Sequence, residues 1–473
     1  MASPLPILRI GRLNIRMKTI KLTLLWRAVF SALLLTLIAA CDSDDDDDAV
    51  DPEPVAATSI VRIINAIPDA PSLTLTVNDE NFGSAAFGQV SGGFTSATGG
   101  TETMSIVYQS TDGETINFLE NLTVPTGEGR EVYILLTGTF ATPISSLIDN
   151  PLTTTALGVQ FGSSVNNGQA VDVYLTDADT SLETAVPAAT LNFDGLSSQA
   201  EFASGTDYRI RITTVGSTDV LYDSGTISLQ TSGNQIFLLV DYFGPGNSPF
   251  RVVSIASGVA SSLQGEALPA AIRVANFVTN TPSVDFYFND TNDLPEFPGI
   301  TFGEYTDYLN LDAGARSINI TPNGEKTNFI FEQNVTLVAG ESRTLLLAGN
   351  PSSEDGVFGI VVPDNDRPIS TELLLRFLHG SAESGTIDFY VLETGETVDD
   401  ETPDIEGATL LTNVNVPVAI GTYDLIATPT GETTVLAGPT RLSVDVGIYT
   451  IILTESENGG APFTFAVREE SLD

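Results

Sequence analysis

From residue 58 onward, short runs of Val, Ile, Leu, Thr, Phe and Tyr alternate with polar residues and are cut off by Gly, Asn, Asp and Pro. That is the period-two pattern of half-buried strands joined by turns, and no long stretch carries the 3.6-residue period of an amphipathic helix. The pattern also recurs. Val171-Asp172-Val173-Tyr174, Val284-Asp285-Phe286-Tyr287 and Ile387-Asp388-Phe389-Tyr390 share one motif, and Leu73-Thr74-Leu75-Thr76 is a weaker first copy. Each follows another strand-like run, at residues 61–64, 159–161, 272–274 and 375–377. Downstream, Gly100, Gly205, Gly314 and Gly421 each open a further strand, at separations of 105, 109 and 107 residues. A second glycine comes 26 to 28 residues later, at Gly127 (or Gly129), Gly233, Gly340 and Gly447, and leads into an apolar closing strand.

Such self-similarity marks a repeat protein. Alternating strands turn one apolar face inward, and glycine supplies turn conformations that a Cβ would penalise. Units of about a hundred residues with regular turns have the size of a β-sandwich. The expected fold is all-β: four tandem immunoglobulin-like antiparallel β-sandwich domains at 58–145, 152–257, 268–363 and 371–473. Polar stretches through Ser261, Ser262, Gln264 and Gly265, and through Asp364-Asn365-Asp366-Arg367-Pro368, suit the joints between them.

The run Val61-Arg62-Ile63-Ile64-Asn65-Ala66-Ile67-Pro68-Asp69-Ala70-Pro71 resembles the opening signature of the bacterial domain-of-unknown-function family 4397. That signature reads roughly Val-Arg-Val-Val-His-Ala-Ser-Pro-Asp-Ala-Pro, with Val-Asp-Val-Tyr following. The first copy keeps Pro-Asp-Ala-Pro and has lost the Asp-x-Tyr. The third and fourth keep Asp285, Tyr287, Asp388 and Tyr390 but lack the proline turn. His379 falls where the family often has its histidine, and Asn65 and Asn276 take that place in the first and third copies. The second copy departs most, with Gly162-Ser163-Ser164 there. The resemblance spans nearly the whole chain after the leader. It implies an exported, repeated β-sandwich acting at the cell envelope, with no established chemistry.

The first 57 residues follow a different pattern. Residues 1–41 hold six basic residues (Arg9, Arg12, Arg16, Lys18, Lys21, Arg27) and no acid, and a thirteen-residue apolar run spans 28–40. That run suits a signal-peptide core and is too short for a bilayer, which needs about 20 residues. It ends Leu37-Ile38-Ala39-Ala40-Cys41, which resembles a bacterial lipobox, so Cys41 is expected to carry a diacylglyceryl thioether and an N-acyl (palmitate) chain. Met17 opens a more ordinary signal start than Met1. Residues 42–57, with aspartates at 42, 44–48 and 51, read as a disordered acidic tether. An aspartate directly after the cysteine resembles an inner-membrane retention signal in enterobacteria, and an acidic stretch there resembles a surface-export signal elsewhere. An outer-membrane location, facing periplasm or surface, is the expectation.

Charge narrows the partners. The formal net charge is −42, and removing the six positive charges of the leader takes the mature chain to −48. Nucleic acid is excluded as a partner, because phosphate binding needs clustered Lys and Arg. With Cys41 lipidated no disulfide is possible, so the exported part holds together by apolar burial.

Candidate chemistry is sparse. A Ser-His-Asp triad would have to use His379, the single histidine, which the sister copies lack. The usual nitrogen and sulfur ligands of zinc are missing. The Asp-x-Tyr pairs place Asp172, Asp285 and Asp388 on one strand face with Tyr174, Tyr287 and Tyr390. Their expected roles are structural: the aspartates bond nearby backbone, and the tyrosines cover the sheet with wet hydroxyls. Acidic loops follow each motif, and Asp177, Asp179, Asp290 and Asp293 are the calcium candidates, weighed against ordinary solvated turns. The resulting expectation is a lipid-anchored, non-enzymatic envelope protein with a structural, adhesion or protein-interaction role. The alternative is a glycan- or small-ligand-binding lipoprotein, which would show an exposed aromatic row at matching positions in several copies.

Overall fold

The β-branched and aromatic runs pair into eight sheets, and among the described residues no helix interrupts them. The computed structural model describes residues 58–470, apart from 128, 152–155, 167, 292–293, 366 and 445. The leader, Cys41, the acidic stretch to residue 57 and Asp293 lie outside the described residues.

In the first repeat, Ser59–Asn65 lies between Gln89–Val90 and Arg130–Thr139, with Thr142–Pro151 beyond. The facing sheet runs Glu80–Ala85, Leu73–Val77, Gly100–Gln109, Thr115–Thr126. Val61, Ile63, Leu73, Leu75, Ile106 and Ile134 meet between them, all buried. Three further cores of the same kind follow, around Val173 and Phe237, Phe286 and Leu345, and Phe377 and Phe389. The last strand of the first repeat continues past the expected 145, and the second repeat gains an extra strand, Val259–Leu263.

The sheets are not wholly antiparallel as expected. In each repeat the first strand runs parallel to the penultimate one: Ser59–Asn65 with Arg130–Thr139, Leu157–Ser163 with Gly233–Asp241, Ala270–Val278 with Ser342–Gly349, and Leu373–His379 with Gly447–Thr454. The chain crosses to the facing sheet and returns before making that pair, which gives it the long connection a parallel pair requires.

The outer faces of these sheets are apolar too. Ile64, Tyr133 and Leu135 of the first repeat pack on Ile236, Leu238 and Ile255 of the second. Ala275, Phe277 and Leu346 of the third pack on Leu378 and Ile452 of the fourth. Sheet therefore stacks on sheet outside the sandwiches as well as inside them. The strands that build these interfaces are buried on both faces, and at about 25 cal/mol per Å2 of apolar area the second face is a substantial stabilisation.

Candidate functional site

The recurring aspartates are backbone clamps. Alternation sends Val284, Phe286 and Phe288 into the core and Asp285 to the other face. Asp285 accepts N–H bonds from Gly299 (2.7 Å) and Gly324 (2.9 Å). Asp388 does the same with Gly407 (2.7 Å) and Gly431 (2.8 Å). All four glycines have positive φ, between 64° and 81°, so each turn needs glycine and presents its N–H to the carboxylate. Asp172 accepts from Gly216 at 2.8 Å and from the Thr190 hydroxyl at 2.5 Å. Two hairpins are thus tied to one carboxylate in the second, third and fourth repeats. The tyrosines are covered more fully than a wet hydroxyl allows: Tyr287 is 1% exposed, and Tyr390 packs with Leu392, Val398 and Ile426.

The strand-end position is likewise taken up by backbone. Asn65 donates to the carbonyls of Pro71 and Ala85, both at 3.1 Å, and accepts from the Ile67 N–H. Asn276 donates to the Ile300 carbonyl and accepts from the Val278 N–H. His379 is fully buried, with Nε2 3.0 Å from the Gly385 carbonyl and 3.4 Å from the Ser384 hydroxyl. Burial holds its pKa below the usual imidazole range. Its Nδ1 meets no hydrogen-bonding partner, so no carboxylate orients the ring as a catalytic triad requires.

Of the calcium candidates, Asp177, Asp179 and Asp290 are among the described residues. Among the described residues, no three His, Cys, Asp or Glu side chains gather as metal ligands. The hydrogen bond to Asp223 chiefly holds the Arg209 pKa above its usual range, with Asp179 adding a smaller push, and Arg211 reaches the Thr180 carbonyl in the same loop. These contacts make the loop part of a charge network, which opposes a cation.

The densest buried polar constellation lies between the third and fourth repeats. Arg273 and Arg376 occupy the same place in the first strand of their repeats, opposite Thr344 and Thr450. Arg273 donates to the Thr344 hydroxyl at 2.8 Å and to Glu470 at 2.8 Å. Arg376 pairs with Asp364, bonds the Thr450 hydroxyl at 2.9 Å and reaches Glu470 at 3.4 Å. Asp364 also accepts from Tyr308 at 2.7 Å, while Arg273 lies over the Tyr308 ring at 4.7 Å. The side chains of Arg273 and Asp364 are 2% and 3% exposed, so the network is desolvated and stands only because its charges are paired.

Between the first two repeats the same place holds Arg62, 3.2 Å from Glu131, which also accepts the Tyr133 hydroxyl at 2.7 Å. Gln160 takes the position in the second repeat and accepts from Asn150 at 2.9 Å. A further contact joins distant parts of the chain. Arg367 donates to the carbonyls of Pro68 and Ala70, and the Ser370 hydroxyl donates to Asp69 at 2.6 Å. The proline turn of the first copy is thereby the seat of the segment joining the third and fourth repeats.

These observations define a class: a tandem β-sandwich repeat protein whose repeats are packed together through a recurrent buried position in the first strand. The chain belongs to the family described as "Domain of unknown function (DUF4397)", whose profile matches residues 59–174 and 270–390, together half of its length. No curated protein matches the chain. Among solved structures, one described as "Alpha-glucan binding by a streptococcal virulence factor" is similar at 11% identity and a TM-score of 0.16, covering 39% of this chain and 93% of that one. Another, described as "The Bacillus anthracis TIE protein", is similar at 10% identity and a TM-score of 0.15, covering 85% of this chain and 68% of that one. At those scores neither likeness bears on function.

Proposed function

We propose that this protein is a lipid-anchored component of the bacterial cell envelope, favouring the outer membrane, that works without chemistry of its own. Its repeats form an assembly that offers surfaces to a protein partner, and Cys41 with its acyl chains attaches that assembly to the membrane. One observation carries the non-enzymatic part of this reading. The polar groups that recur from repeat to repeat (the aspartates, the strand-end Asn and His, the first-strand arginines) are all taken up by bonds that hold the fold or pair the repeats. The glycan-binding alternative calls for a matched aromatic row. Among the described residues the exposed aromatics are Phe193, Tyr308 and Phe329, at unmatched places.

Anchoring is tested by Cys41→Ser. Wild-type protein should sediment with membranes and the variant should move to the soluble fraction. A variant that stays wholly with membranes sinks the lipid anchor. Protease shaving of intact cells then reports which way the repeats face.

A further inference from the structure

Arg251, in the strand Phe250–Ala256 of the second repeat, and Arg367, between the third and fourth repeats, meet at one aromatic ring of the first. Their guanidinium carbons lie 5.5 and 5.4 Å from the centroid of Phe87. Both side chains line a cavity of about 380 Å3 with Ala86, Tyr242, Gly244 and Pro363. Arg367 is anchored on the carbonyls of Pro68 and Ala70, but among the described residues Arg251 pairs with no carboxylate and its buried Nε has no hydrogen bond. Burial pulls both guanidiniums below the usual arginine range.

The acids on the cavity wall are turned to other partners. Asp241 accepts from Asn166, Glu341 pairs with Arg343 at 2.7 Å, and Asp364 belongs to the network around Arg376. A chain with 61 acids and only thirteen cations after residue 41 has thus left a half-buried guanidinium without one. An unpaired, partly desolvated cation is costly, and the cost is recovered when an anion arrives. The ring contact covers the flat face of the Arg251 guanidinium while, among the described residues, no hydrogen bond takes up its edge N–H groups, and that edge is a planar fork matched to carboxylate and phosphate oxygens. The volume falls within the range of small-ligand pockets.

We propose that the cavity walled by Phe87, Arg251 and Arg367 binds a small oxyanion, with Arg251 making the direct bonds and Arg367 supplying the second positive charge. The group could arrive on an acidic sugar or on a phosphorylated molecule, and two probes separate those sources. The mature protein is titrated calorimetrically with D-glucuronate and with inorganic phosphate. At least one should bind saturably, and the better one identifies the source.

Arg251→Gln should weaken that binding by about tenfold or more, the usual worth of a lost charged hydrogen bond. Arg441→Gln, at the exposed pair with Asp424, should leave it unchanged. In buffer free of either anion, R251Q should melt at or above the wild-type temperature, because it removes an uncompensated charge. That result also shows that its lost binding is not lost folding. Absence of saturable binding to either probe, equal binding by R251Q, or a lower Tm for R251Q would overturn the proposal.

Discussion

Asn65 and His379 end the first strand of their repeats and Asn276 lies two residues before the end of its own, and each bonds a carbonyl further along its own repeat. The two asparagines also accept an N–H two residues on, whereas His379 Nδ1 is left without a bond. Because burial lowers the folded pKa of His379 below its unfolded value near 6.5, the neutral ring is the folded form. Its contribution is therefore intact above about pH 6.5 and is lost as pH falls toward the lowered pKa, since the unfolded chain then binds the extra proton. His379→Asn installs the sister residue. It should change stability by less than about 1 kcal/mol at neutral pH and become progressively more stable than wild type as the pH is lowered. Scanning calorimetry across that range checks this, and a pH-independent difference in Tm would refute it. At this scale much was legible. Period two placed Asp285 and Asp388 away from the core, and the turn glycines that they bind are visible as glycines. The role of Arg62, Arg273 and Arg376 was not legible. A lone charge in a strand ordinarily faces water, and what buries these arginines is another repeat.

Between elements, the informative contrast is one buried face against two. Alternation correctly indicates strands and an inward apolar face. The runs at 133–136, 236–240 and 345–347, however, are apolar without a break, which is the pattern of a strand covered on both sides. The second cover is the neighbouring repeat, through Leu238 and Ile255 in one pair and Phe277 and Ile452 in the other. The parallel first strand was beyond reach of local pattern, because its partner lies about seventy residues downstream, as with Ile60 and Glu131. If outer faces hold the repeats together, a charge placed in one should part them while sparing each inner core. Leu238→Glu loses the burial of a whole side chain and desolvates a carboxylate, at a cost of about 3 kcal/mol or more to the interface. The expected result is two melting transitions in place of one and a larger radius of gyration by X-ray scattering. One unchanged transition would mean that the outer faces are not what joins the repeats.

For the molecule as a whole, net charge is an unfavourable term that conditions can tune. Of the thirteen cations after residue 41, Arg251, Arg273, Arg367, Arg376 and Arg468 line the cavities and networks where the repeats meet. That leaves the rest of the surface strongly acidic and self-repelling. Raising sodium chloride from a few millimolar to physiological strength shortens the Debye length to about 8 Å and should raise Tm by a few degrees. A fall would show that the paired arginines outweigh the repulsion.

The chain path adds to this. In the first, third and fourth repeats the start of the first strand and the end of the last lie at the same end of one sheet, as Glu131 beside Ile60 and Pro151 beside Arg130 place them. In the second, the extra strand Val259–Leu263 carries the chain back to the far end, where Leu263 pairs with Val252. The outer faces have one more consequence, for how such proteins can grow and shrink. A single repeat carries an oily flank that only another repeat covers. Deleting one would strand its neighbour with a sticky side, and duplicating one would create a bachelor. Gene duplications in a lineage built this way should be retained in couples, and copy number along such chains should run in even steps.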